Sequence, residues 1–175
     1  MTKPRKMLGA ADSPYALSLM RAIETQSNDT LARWTIEYAD KNLLPIYEQA
    51  LPEDLVARDA LNKARAYRLG GSSLPELKAA VSDARTRARE LDDEPAAQAA
   101  LQACALAAGN IYTPTNGLGM MYYGTAALAY DQIGLEETPE AYDAFAATEA
   151  AKMEEALKAI SIDDEPMPAK IKWNC

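Results

Sequence analysis

The chain contains no histidine, a single phenylalanine and only two cysteines among its 175 residues. The missing imidazole removes the commonest general base near neutral pH and the commonest metal ligand. Ser-His-Asp and Cys-His arrangements are therefore excluded, zinc sites lose their usual nitrogen ligands, and Glu-x-x-His di-iron pairs cannot be built. P-loop, GxGxxG and EF-hand spacings are also missing. Cys104 sits in an apolar stretch and Cys175 is the last residue, with no CxxC pair. No disulfide framework follows, and Cys104 reads as a small core residue. The expectation is a non-enzyme with no catalytic residue, cofactor or metal.

Long apolar runs are lacking too. The most apolar window, 96–108, is short and broken by Gln98 and Gln102, which marks a buried helix rather than a membrane span. The start, Met1-Thr2-Lys3-Pro4-Arg5-Lys6, is basic but has no apolar run behind it, so no secretory signal is read and a cytoplasmic address is expected. β-Branched residues never alternate strictly over a strand length, which argues against a sheet.

What is present fits one helical domain. With 49% apolar residues, the chain can bury a single core. The net charge of -8 disfavours nucleic acid, which needs a basic footprint, and favours a basic protein partner. The charge is concentrated. Residues 131–165 hold eleven acids against Lys152 and Lys158, a net of -9, so the rest of the chain is near neutral. Those acids form either a solvated face or a field that steers a partner.

Start and stop signals divide the chain into six or seven helices. Asp12-Ser13-Pro14 opens the first, and Ser27-Asn28-Asp29 the second, with Leu31, Trp34 and Tyr38 on one stripe. Pro45 must kink or restart that helix. Pro52-Glu53-Asp54 is expected to open a third with acids in its first turn, and Gly70-Gly71 to stop it. Ser73-Leu74-Pro75-Glu76 is a capping box for the fourth, whose Arg85, Arg87 and Arg89 read as a solvated outer face. The fifth, from Pro95, is so rich in alanine that it belongs at the centre, where small side chains let helix axes approach. A sixth follows a break at 109–116 and ends at Gly134, and Thr138-Pro139 caps a seventh. The expected organisation is a flexible N-terminus over 1–11, an all-α antiparallel bundle over 12–160, and an extended tail over 161–175, either packed by Trp173 or loose.

Two clusters carry possible chemistry. Glu37 and Asp40 share a helix face beside Trp34 and Tyr38, where a desolvated carboxyl could act as acid or base. Asn110, Tyr112, Asn116, Tyr122 and Tyr123 gather at the break. Asn supplies donor and acceptor, and Tyr a broad apolar face with a polar tip, which suits partner recognition or a small ligand pocket. They equally suit a helix break whose exposed backbone groups need partners.

Several landmarks then occur in order: Leu31-Ala32-Arg33-Trp34, Leu44-Pro45-Ile46-Tyr47-Glu48, Pro52-Glu53-Asp54 with Arg58, Ala64-Arg65-Ala66-Tyr67 before Gly70, and Ala107-Ala108-Gly109. Over about residues 31–130 this order resembles the Imm-5-like putative immunity protein family of bacterial polymorphic toxin systems. The family pattern has an Arg-Pro step where this chain has Val56-Ala57. It also has two histidines where this chain has Asn110 and Asn116. The resemblance implies an all-α fold and a role in binding and neutralising a cognate toxin, without histidine-dependent chemistry. It marks Asn110, Asn116, Asp54 and Arg58 as partner-binding candidates. The local reading of Asp54 and Arg58 is a helix-start acid with an i,i+4 ion pair. The charge pattern adds Glu136, Glu137 and Glu140 as groups that would attract a basic toxin.

Overall fold

The computed structural model describes residues 3–174; the first two residues of the expected N-terminal segment and Cys175 lie outside it. Eight helices and no strand occur among the described residues: α1 (Pro14–Ile23), α2 (Asn28–Asn42), α3 (Leu44–Ala50), α4 (Val56–Arg68), α5 (Leu74–Ala88), α6 (Pro95–Gly109), α7 (Asn116–Gln132) and α8 (Pro139–Ile160). The count is one above the expected upper bound because Pro45 restarts the second helix as a separate α3 rather than bending it. Counted as one kinked helix, α2 and α3 restore seven.

Local chemistry explains most boundaries. Ser27 and Thr138 accept the amides of Thr30 and Ala141, and Ser73 and Glu76 form both arms of a capping box. Gly70 and Gly134 stop α4 and α7 with positive φ, which only glycine adopts without strain. Two expectations need correction. The Ser13 hydroxyl caps nothing in α1 and instead donates back to the Ala10 carbonyl. Pro52, Glu53 and Asp54 lie in a turn before α4, which begins at Val56 and has Asp59 as its first-turn acid.

The core is built around α6. Eleven of its fifteen residues are buried, eight of them Ala or Gly, so neighbours press on it from several sides. It pairs antiparallel with α7, as the Leu106–Gly119 and Gly109–Asn116 approaches show. Helices α2 to α5 cover the other side of α6, while α1 and α8 pack on α7. Trp34 is the largest anchor at 2% exposure, with its indole N–H donating to the Met153 carbonyl at 3.0 Å.

Both ends of the chain are tied to this core. Leu8 is fully buried, its amide donates to the Tyr122 carbonyl, and the Arg5 carbonyl accepts from the Tyr130 hydroxyl. The described part of the N-terminal segment is therefore anchored, contrary to the expectation of a flexible 1–11. The described tail from 161 to 174 has no helix, and Trp173 is half-buried with its N–H on Glu24.

Candidate functional site

The 109–116 break places the Asn/Tyr cluster between α6 and α7. Asn110 is fully buried, and its Oδ1 accepts the Gly117 amide at 3.1 Å. That amide belongs to the first turn of α7, whose early N–H groups have no helical partner. Asn116 is buried as well, and its Nδ2 and the Tyr112 hydroxyl crowd the Cα of Gly109, each about 3.0 Å from where a Cβ would stand. The two asparagines therefore shape the break from inside and present no face to a partner. Asn116 and Tyr112 both pack against Gly109 at the end of α6.

The tyrosines are placed differently. Tyr112 is half-buried, with the Lys78 ammonium 5.3 Å from its ring centroid in a cation–π contact. Burial raises its hydroxyl pKa, with Arg85 opposing the shift. Tyr122 and Tyr123 are half-buried along α7, Tyr122 with its ring against Gly9. Asn28 joins the break from outside, its Nδ2 donating to the Ile111 carbonyl at 3.0 Å. Tyr112 and Tyr123 keep enough exposed surface to touch a partner.

Asp54 and Arg58 do not pair with each other. Arg58 forms a two-bond contact with Glu48 of α3, at 2.5 and 3.0 Å. Asp54 accepts from Arg87 of α5 at 2.7 Å and from the Val56 amide at 3.1 Å. The aspartate thereby ties the turn before α4 to α5 instead of forming an i,i+4 pair. Arg87 also holds Glu90 at 2.9 Å, so it is a structural bridge rather than part of a solvated face. The Tyr47 hydroxyl is buried beside this pair, and burial first, then hydrogen bonding toward the Asp54 carboxylate and its charge, push its pKa up. Burial also works against ionisation of Asp54, but the Arg87 and Val56 hydrogen bonds outweigh it and hold the carboxyl below its ordinary 3.8.

That shift predicts a pH effect. A carboxyl with a depressed native pKa stabilises the fold above its unfolded value, and the contribution is lost as pH falls through the native value. Asp54→Asn is therefore expected to flatten the acid limb of the stability curve below about pH 4. Urea unfolding at pH 7 and at acid pH checks it; an unchanged acid limb would show that the ion pair contributes nothing.

Glu37 and Asp40 are divided between different partners. Glu37 pairs with Arg33 at 3.6 Å, whereas Asp40 is bound by Arg65 of α4. Glu37 does border a crevice of about 310 Å³ between α2 and α8, along with Trp34, Tyr38, Lys41, Asn42 and Lys152, but Asp40 is not among its lining residues. The shared carboxylate face imagined for acid–base work is not formed. Among the described residues no group of three or more His, Cys, Asp or Glu could hold a metal ion.

The acidic segment is less uniform than its composition implies. Glu149 is buried and bonded to Lys152 at 2.8 Å, Glu154 accepts from Ser18, and Glu165 is engaged at the start of α2. Glu136, Glu137 and Glu140 are exposed around the α7–α8 turn. Helix α7 separates them from the 109–116 break, and its seventeen residues span roughly 25 Å at 1.5 Å per residue. The sequence candidates thus fall at two ends of the bundle and form no single site. Sequence reasoning missed Gln26, Glu165 and Leu8 because each acts through contacts more than a hundred residues away.

No helix among the described residues is long and apolar enough to cross a membrane. No curated protein and no solved structure matches the chain. The sequence profile described as Imm-5 like putative immunity protein matches residues 21–156, more than three quarters of the chain and all of α2 to α7. The chain belongs to the Imm-5 like putative immunity protein family.

Proposed function

We propose that the protein is a non-catalytic, cytoplasmic immunity protein that binds a basic cognate toxin and blocks its active surface. The observation that carries this reading is the family match, which covers the central α6–α7 hairpin and the helices around it. The absence of histidine supports a binding role, because the common acid–base and nucleophilic arrangements cannot be assembled.

Contact residues are drawn from the exposed candidates. Glu136, Glu137 and Glu140 supply the field for encounter, and Tyr112 and Tyr123 supply broad contact area. Asn110 and Asn116 hold the break in shape, and Asp54 and Arg58 fix the turn before α4. Co-expression with a toxin encoded beside this chain should protect the cell, and the purified pair should associate. A neighbouring toxin that kills equally well in its presence would end the proposal.

The acids make a separate kinetic prediction. Converting Glu136, Glu137 and Glu140 to Gln should slow association with that toxin and weaken its salt dependence, while dissociation changes little. Stopped-flow mixing at low and high salt checks this. An unchanged on-rate at low salt would make the three acids a solubilising face only.

A further inference from the structure

The tail beyond α8 makes a set of polar contacts that neither the family match nor the proposed role uses. The Gln26 side chain is buried and pairs with both backbone groups of Ile162, donating to its carbonyl at 3.2 Å and accepting its amide at 2.9 Å. The Ala169 amide donates to the Gln26 carbonyl at 2.8 Å. Between these points Glu165 reaches the start of α2 with both carboxylate oxygens. Oε2 accepts the Ser27 amide at 2.8 Å, and Oε1 accepts the Ser27 and Thr30 hydroxyls at 2.7 and 2.6 Å. A carboxylate there is favoured by the positive end of the helix and by charge-assisted hydrogen bonding.

Between α8 and residue 168 the tail is held at points rather than packed flush, whereas Ala169, Ile171 and Trp173 beyond it pack against the core. An open groove of about 690 Å³ lies beneath it, lined by Ala22, Thr25, Gln26, Lys158, Ile162 and Pro168 among others. Met167 and Ile162 are exposed despite being apolar, so little hydrophobic burial retains this part of the tail. Asp164 and Met167 also hold positive φ, at 52° and 56°, a backbone region that side-chain-bearing residues rarely occupy. The polar latch must offset that strain. The matched family region ends at residue 156, so the strap lies outside it but docks on Gln26, Ser27 and Thr30 within it.

The latch lies one residue from the candidate recognition surface. Ser27 and Thr30 flank Asn28, whose side chain holds the Ile111 carbonyl of the break. We infer that residues 161–168 form a releasable strap, latched by Glu165 and running between α8 and the core-packed end of the tail, that sets the order of the 109–116 break through the Ser27–Thr30 turn and the Asn28–Ile111 bond. With the strap docked, the first turn of α2 and Asn28 are fixed. With it released, Ser27 and Thr30 lose their carboxylate and the break loses a firm neighbour.

Amide hydrogen exchange on the full chain, followed by NMR, tests this without any partner, so its failure is separate from failure of the toxin-binding reading. Glu165→Ala should speed exchange at the Ser27, Ile162 and Ala169 amides roughly tenfold, as loss of a charge-assisted hydrogen bond predicts for a local opening. The Thr113 and Gly117 amides, which bond within the break, should also speed up, by a smaller factor. In an Asn28→Ala background, Glu165→Ala should still free the tail but leave Thr113 and Gly117 unmoved. If Glu165→Ala leaves those two amides unchanged in the otherwise native chain, or moves them equally without Asn28, the coupling does not exist. Should Glu165→Ala loosen the centre of α6 as well, Glu165→Gln is the milder variant on which the same outcomes decide.

Discussion

Truncating Trp34 to alanine is expected to cost about 3–5 kcal/mol, lowering the melting temperature by roughly 6–20 °C for a chain of this size. Three observations lie behind the size of the effect. The indole is 2% exposed, its N–H holds the Met153 carbonyl of α8, and its ring lies against Gly117 of α7. One side chain thus joins three helices, and its removal leaves a cavity and breaks a hydrogen bond between α2 and α8. Thermal unfolding followed by circular dichroism at 222 nm checks it. A melting temperature within a degree of the parent would show the ring to be dispensable and free for another role.

Gly117→Ala is expected to destabilise by about 1–3 kcal/mol, the usual cost of forcing extra atoms into a packed core. The cause is distance rather than backbone conformation. A Cβ at this position would stand 2.8 Å from the Trp34 ring and 3.2 Å from Ile23, and a ring held by its own hydrogen bond cannot swing aside. Trp34→Phe removes the atoms in conflict, so Gly117→Ala should cost less in that background. A double-mutant cycle measures the difference, and independent sites would give a coupling near zero. Additive effects would mean that the strain is relieved elsewhere along α7.

Much of this architecture could be read from local chemistry, because helices announce their ends. Ser27, Ser73 and Thr138 are capped in the structure by the side chains the sequence offers, and the glycine stops at 70 and 134 carry positive φ. The centrality of α6 was legible from alanine alone, since a helix with almost no side-chain bulk can be surrounded closely. Partner choice was not legible. Arg58 takes Glu48 instead of Asp54, and Asp54 takes Arg87, because tertiary packing brings α3 and α5 nearer than the i,i+4 spacing suggests. Burial divides the Asn/Tyr cluster, with asparagines inside and parts of the tyrosines outside. Composition could not make that division, because Asn is equally at home satisfying a helix end and facing water. The tail latch escaped for a related reason: Gln26 and Glu165 are ordinary polar residues until folding brings them together.

The alanine-walled centre has an evolutionary corollary. At Ala99, Ala100, Ala103, Ala107 and Ala108, all buried, nearly every substitution adds volume, and even one methylene is felt in an interior already close-packed. Cores made of leucine and isoleucine drift by trading one shape for another of similar size, but alanine has no such isostere. A lineage built on this helix pair can therefore diversify cheaply only at its perimeter. Divergence would then fall on the turns and outward faces, while the α6–α7 seam stays fixed as the frame that carries them.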